Sequence, residues 1–190
     1  MKEFKIEKQH CIGAWFIPKK VCDGLISIYK DYQKFAKPGL IHTKDGYETN
    51  NKIKESNDIF INNLKCHEDI RLLNYNNYLQ KVIDLYSDKY PEIKKYDRFC
   101  VKGYNIQKYP KNGGFKSWHT ERASFSKRIF VFMTYLNTLK KGGTMFKYQK
   151  ITTPAKKGLT LIWPTDHTHT HKSEICNKEK IISTGWIEFI

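Results

Sequence analysis

Two clusters of ligand-type side chains mark this 190-residue sequence. His119-Thr120-Glu121 sets an imidazole and a carboxylate two residues apart. In extended backbone such residues point to the same side, so both can reach one ion. Downstream, His167-Thr168-His169-Thr170-His171 offers three more imidazoles, all on one face if that stretch is extended. Two histidines and one carboxylate on one face of an iron leave the opposite positions open, which suits Fe(II)-dependent oxygen chemistry. Taken alone, a His-x-Glu tripeptide is commoner as a solvated surface pair. The His-rich stretch reads equally as a polar strand end or an adventitious metal binder. Alternation by itself does not choose among the three histidines.

The elements that must position these groups change character near Arg98. Before it, helix signals dominate. From Pro18 the apolar residues Val21, Leu25, Ile28, Tyr29, Tyr32 and Phe35 recur at three and four residues, and Pro38-Gly39 stops the pattern. A second run, Tyr75, Tyr78, Leu79, Val82, Ile83 and Tyr86, has the same period and ends before Pro91. Between them, Ile41 to about Asn63 is polar, carries Asp45-Gly46, and reads as connecting structure with one short strand. After Arg98 come β-rich runs at Phe99 to Gln107, Arg128 to Leu136, Thr144 to Tyr148, Leu159 to Trp163 and Lys180 to Phe189, punctuated by Gly113-Gly114, Gly142-Gly143 and Gly158. Short strands with no intervening helix predict an antiparallel sandwich or jelly roll. The expected fold is α+β and mainly β: a single domain over 1–190, with helical N-terminal support over 1–97 and a jelly-roll core over 98–190.

Composition narrows the partners. An apolar fraction of 39% is enough to bury a core. The net charge of +15 would suit a phosphate-bearing partner, but only Arg71, Arg98, Arg122 and Arg128 are arginines, the residue best shaped for phosphates and guanines. The lysines are spread evenly and read as compositional bias, which disfavours nucleic acid. Cys11, Cys22, Cys66, Cys100 and Cys176 are odd in number and scattered, so they read as free thiols. The polar N-terminus and the lack of any long apolar stretch argue against a leader or membrane span. A cytoplasmic setting is expected.

From Phe99 to Phe189 the sequence resembles the catalytic core of prolyl-4-hydroxylase-like Fe(II)/2-oxoglutarate-dependent dioxygenases. The matching elements occur in the family's order: Tyr109, His119-x-Glu121, Arg128, Tyr135-Leu136-Asn137, Gly142-Gly143-Thr144-x-Phe146, Pro154, Gly158, Leu159 to Trp163, and Lys180 to Trp186. The resemblance implies a double-stranded β-helix with the N-terminal helices packed on it, and iron held by His119, Glu121 and His171. His171 is preferred because the family's distal histidine precedes the co-substrate cation by nine or ten residues, and His171 precedes Lys180 by nine. The same spacing is expected to place ligand and cation on neighbouring antiparallel strands. His171-Lys172-Ser173 stands where the family has His-x-Gly, with serine replacing glycine. His169 is the fallback.

By the same resemblance Lys180 pairs with the far carboxylate of 2-oxoglutarate, Thr184 supports it from the same strand face, and Tyr109 and Tyr135 (or Thr134) add hydroxyls. An ammonium in an apolar strand is costly to bury unless an anion meets it, which fits that role. The implied cofactors are Fe(II), 2-oxoglutarate and O2, with ascorbate as a reductant. The implied reaction is hydroxylation of a C–H bond, with a prolyl residue of a peptide or protein, or a small molecule, as substrate. Glu121 replaces the family's usual aspartate, a form shared with a viral and bacterial subgroup that also has the Trp163-Pro164 and Thr168 to His171 pattern. Halogenation is disfavoured, since it would need a small residue at 121. The competing readings are a nucleic-acid-modifying oxygenase and a non-catalytic metal-binding jelly roll. The first expects an arginine six residues after the cation, where this chain has Trp186.

Overall fold

The computed structural model describes residues 1–6, 10–44, 46–95, 98–122 and 126–190. In chain order the strands and long helices are β1 (Gly13–Phe16), α1 (Lys19–Asp31), β2 (Lys37–Pro38), β3 (Leu40–Thr43), β4 (Gly46–Thr49), β5 (Lys54–Glu55), β6 (Asn57–Asn62), α2 (Ile70–Lys89), β7 (Phe99–Cys100), β8 (Gly103–Tyr109), β9 (Gly114–Phe115), β10 (Arg128–Tyr135), β11 (Thr144–Phe146), β12 (Ile151–Thr152), β13 (Leu159–Pro164), β14 (His171–Ser173) and β15 (Lys180–Phe189). The large sheet runs β1-β13-β10-β15-β8-β6-β2, with β7 also on β15, and a small sheet runs β12-β11-β14. All of these pairings are antiparallel. The fold is a double-stranded β-helix whose sheets do not close into a barrel.

Strict alternation divides the large sheet between two cores. Along β10, Phe130 and Phe132 join the helices, while Val131, Met133 and Tyr135 face the small sheet. The helix-side layer is built from aromatic edges: Tyr86 meets Phe130 at 5.2 Å and Tyr75 meets Tyr104 at 5.2 Å. The Tyr75 hydroxyl lies 3.0 Å from Thr134 Oγ1, so a buried tyrosine enters the layer without an orphaned oxygen. Gly158, at φ +88, lets the chain pass close under the Ile17 carbonyl, where any Cβ would clash.

Asp69 starts α2, its carboxylate accepting from the Arg71 N–H at 2.8 Å. The pattern predicted from Pro18 to Phe35 gives a helix only to Asp31, followed by a tighter turn, because Lys37-Pro38 must be extended. A larger correction concerns residues 1–97. They are not purely helical support: β1, β2 and β6 belong to the large sheet. In β6 only Ile59 and Ile61 alternate, while Phe60 between them is exposed to the cleft, so the period-2 signal was broken by an apolar residue on the open side. Asp45, half of the expected Asp45-Gly46 turn, lies outside the described residues. None of the described helices is long and apolar enough to cross a membrane.

Candidate metal and co-substrate site

The two histidines of the candidate triad face each other directly. His119 N–H donates to the His171 carbonyl at 3.0 Å, and His171 N–H donates to the His119 carbonyl at 2.9 Å. Such a reciprocal pair holds two residues opposite one another with side chains on the same side. The next residues are gathered onto one acceptor: Thr120 Oγ1, Glu121 N and Arg122 N all donate to the Thr165 carbonyl just beyond β13. Backbone pairing, rather than side-chain reach, brings the three ligands together.

Donor atoms of His119, Glu121 and His171 lie within 4.8 Å of one another. Glu121 Oε1 stands 3.4 Å from His119 Nε2 and 3.8 Å from His171 Nε2. Two bonds of ~2.1 Å at right angles place their donor atoms ~3 Å apart, so the set is near the spacing one ion requires. Each Nδ1 is taken by a backbone carbonyl, of Ser117 at 3.1 Å and of His169 at 2.9 Å. That fixes Nδ1–H as donor and leaves both Nε2 lone pairs toward the centre. Trp186 Nε1–H donates to Glu121 Oε2 at 3.0 Å, so one carboxylate oxygen is held and the other is free. Burial would raise the Glu121 carboxyl, but His119, His171 and the Trp186 bond outweigh it and hold it at about 2. Burial, with His119 beside it, pushes His171 down to about 3. A neutral imidazole and an ionised carboxylate are the forms a metal needs.

Aromatic walls fix the ligands further. Phe115 stacks on the His119 ring at 3.5 Å, and Trp163 meets the His171 ring edge-on at 5.0 Å. The Arg128 guanidinium lies 3.5 Å over the Trp186 ring and reaches the Glu121 carbonyl. In the sequence Arg128 and Trp186 stand out only as positions in family-matching strands, Trp186 also as a place without arginine. Their joint support of Glu121 could not be seen without the β10–β15 pairing.

His167–His169 forms a short 3-10 turn, so the premise of one extended strand with three same-face imidazoles fails. His169 Nε2 lies 2.7 Å from the His10 carbonyl and its Nδ1 lies 2.9 Å from Thr168 Oγ1. Both its nitrogens are engaged away from the cluster, and His167 is exposed. Only His171 of the three joins His119 and Glu121.

Lys180 lies inside the same cleft, 4% exposed, with Nζ 4.9 Å from the Tyr109 ring centre. Burial lowers its ammonium to about 8, opposed in part by Cys176 and Glu174. Among the described residues no carboxylate comes within ion-pair distance of it; its hydrogen-bond partner is Ser173 Oγ at 3.0 Å. The expectation that ligand and cation sit on neighbouring strands is corrected: β14 pairs with β11 and β15 with β10 and β8, so His171 and Lys180 approach from opposite sheets. Thr184 and Tyr109 line the cleft, but Thr184 donates to the Phe132 carbonyl and Tyr109 to Gln107 Oε1. Gln107 continues to Asp58, which is paired with the buried Lys54 at 2.8 Å. Tyr135 lies behind the cleft, its hydroxyl shared between Thr144 and Thr153, so it braces a lining residue instead of facing the co-substrate as expected. Thr134 is on the helix side.

The profile of the 2OG-Fe(II) oxygenase superfamily matches residues 104–188. No curated protein sequence matches the chain. Among solved structures, a Pseudomonas putida prolyl-4-hydroxylase is similar with a TM-score of 0.69 at 14% identity, over 95% of this chain and 94% of that one. The viral collagen prolyl hydroxylase of Paramecium Bursaria Chlorella virus-1, in a 2OG complex, gives 0.68 at 15% identity, over 95% and 97%. A Trichoplax adhaerens prolyl hydroxylase gives 0.70 at 14% identity, over 93% and 83%. Residues 104–188 thus match the 2OG-Fe(II) oxygenase superfamily, which supports a 2-oxoglutarate-dependent dioxygenase, and the chain shares the fold of the prolyl-4-hydroxylases.

Proposed function

We propose that this dioxygenase hydroxylates a prolyl residue of a peptide or protein, releasing succinate and CO2, with His119, Glu121 and His171 as its iron ligands and Lys180 as the anchor of 2-oxoglutarate. Bound Fe(II) supplies the activation of O2 that couples decarboxylation of the co-substrate to hydroxylation. The protein's part is positional. The two Nε2 atoms and Glu121 Oε1 occupy one side of the centre, and the opposite side opens into the cleft. Lys180, reaching in from the other sheet, fixes the far carboxylate of a dicarboxylate, so the 2-oxo acid end is directed at the ligands. Ascorbate would serve as an external reductant.

The observation that carries the peptide reading is the cleft above the triad. Its volume is about 1780 Å3, well beyond the ~300–1,000 Å3 of a small-molecule pocket, and it is open to solvent. Exposed Tyr47, Phe60 and Trp118 line it, which suits an extended chain more than a free amino acid. The Trichoplax neighbour is described in complex with a hypoxia inducible factor peptide fragment, in keeping with this reading. The test is succinate formation from 2-oxoglutarate with Fe(II), alone and against proline-containing peptides, with mass spectrometry for one added oxygen. Succinate release stimulated by a free amino acid or an oligonucleotide, and by no peptide, would overturn the peptide assignment.

A further inference from the structure

The buried ammonium of Lys180 has a neighbour that the resemblance does not supply. Ser173 stands where relatives of this kind carry glycine, and its Oγ accepts from Lys180 Nζ at 3.0 Å and from the Phe115 N–H at 3.2 Å. Those two donors use both lone pairs of the hydroxyl. Its own hydrogen meets no acceptor among the described residues, and the side chain lines the cleft. The other hydroxyls that the resemblance assigns to the co-substrate are committed: Thr184 donates to the Phe132 carbonyl at 2.9 Å, Tyr109 donates to Gln107 Oε1 at 2.6 Å, and Tyr135 is shared between two threonines.

We propose that Ser173 is a second anchor for the distal carboxylate of the co-substrate: its free O–H donates to one carboxylate oxygen while Lys180 Nζ pairs with the other. The inference rests on reading the cleft as a 2-oxoglutarate site. An ammonium alone is a point charge with rotatable donors and sets little direction. A hydroxyl fixed at 3.0 Å from it adds a second contact, so the carboxylate plane is defined and the 2-oxo acid end is aimed at the triad. Because β14 carries both His171 and Ser173, one short strand then touches the co-substrate's surroundings at two points, while Lys180 reaches in from the other sheet.

The test is calorimetric binding to the full chain loaded with Mn(II), which holds the site without turnover. Two probes are used: 2-oxoglutarate, and 2-oxopentanoate, which lacks the distal carboxylate. Ser173→Ala and Ser173→Gly should each raise the Kd for 2-oxoglutarate about ten- to a hundredfold, as expected for losing a hydrogen bond to a charged group, and leave that for 2-oxopentanoate unchanged. Equal weakening of both ligands would show a merely structural serine and overturn the proposal. Unchanged 2-oxoglutarate binding in both serine variants, with Lys180→Ala weakened, would also overturn it while leaving the site reading intact. If Lys180→Ala binds 2-oxoglutarate normally as well, the reading of the cleft itself falls, and the role of Ser173 with it.

Discussion

The two ends of the cleft are finished to different degrees. At the triad every outer atom has its partner: His119 and His171 donate Nδ1–H to backbone carbonyls, and Glu121 Oε2 accepts from Trp186 Nε1–H. At the other end Lys180 is buried with one hydroxyl and an aromatic ring, and no carboxylate among the described residues pairs with it. The first arrangement is pre-organised for an ion and needs no side chain to turn. In the second, a charge is desolvated with no anion among the described residues to compensate it. A desolvated, unpaired cation lining a cleft marks a candidate anion site, which makes it the more informative of the two ends about the ligand.

Removing a triad ligand should have the largest effect. His171→Ala or Glu121→Ala should abolish Fe(II) retention and 2-oxoglutarate turnover while thermal unfolding stays cooperative, because these groups border an open site and do not fill a core; metal analysis with calorimetry would show it. Retained iron in either variant would break the pre-organised end of the comparison.

Lys180→Ala should raise the 2-oxoglutarate Kd by roughly two to three orders of magnitude, the usual loss when one partner of a buried charge pair is truncated, with iron affinity little changed. The same residue gives a pH test. A lysine lowered from 10.5 to about 8 penalises the folded state while it is charged. The penalty is full below pH 8 and fades as pH rises toward 10.5, reaching on the order of 3 kcal/mol at neutral pH. Lys180→Met should therefore raise the unfolding temperature at pH 7 and give little gain at pH 10. By linkage, 2-oxoglutarate binding to the unaltered chain above pH 8 should take up a proton, visible as buffer-dependent heats. No pH dependence of the difference between the two proteins would mean that the ammonium is not desolvated.

Trp186→Phe keeps the ring under Arg128 but removes the donor to Glu121 Oε2. A ten- to hundredfold fall in metal affinity is expected, roughly the cost of an outer partner of a ligand. The smallest effect belongs to His169→Ala. Its carbonyl, which holds His171 Nδ1, is backbone and survives the substitution, so iron should be kept and stability fall by about 1 kcal/mol for the lost bond to the His10 carbonyl. Loss of iron from His169→Ala would place the distal ligand two residues earlier than the structure does.

The difference between the two ends also divides what was legible in the sequence. Residue type pointed to His119 and Glu121 with one of three histidines, because ligand chemistry restricts the choice of side chain; the family resemblance singled out His171, and marked Lys180, an ammonium conspicuous inside an apolar strand, as the anchoring cation. The five β-rich runs after Arg98 and the two amphipathic patterns were legible for the same local reason, periodicity in burial. Local reading failed where pairing decides. The strands β1, β2 and β6 are short or carry an apolar residue on the open face, and only their partners make them part of the large sheet. The spacing of nine between His171 and Lys180 suggested adjacent strands, yet the two come from opposite sheets. His169 and His171 are equivalent on paper; a 3-10 turn turns one toward His10, and an antiparallel bridge turns the other toward His119. Trp186, Arg128 and Ser173 acquire their contacts only across strands distant in the chain. Composition and spacing thus determined the chemistry this chain can support, and tertiary pairing decided which atoms carry it, because hydrogen-bond partners and desolvation are properties of neighbours in space and not in sequence.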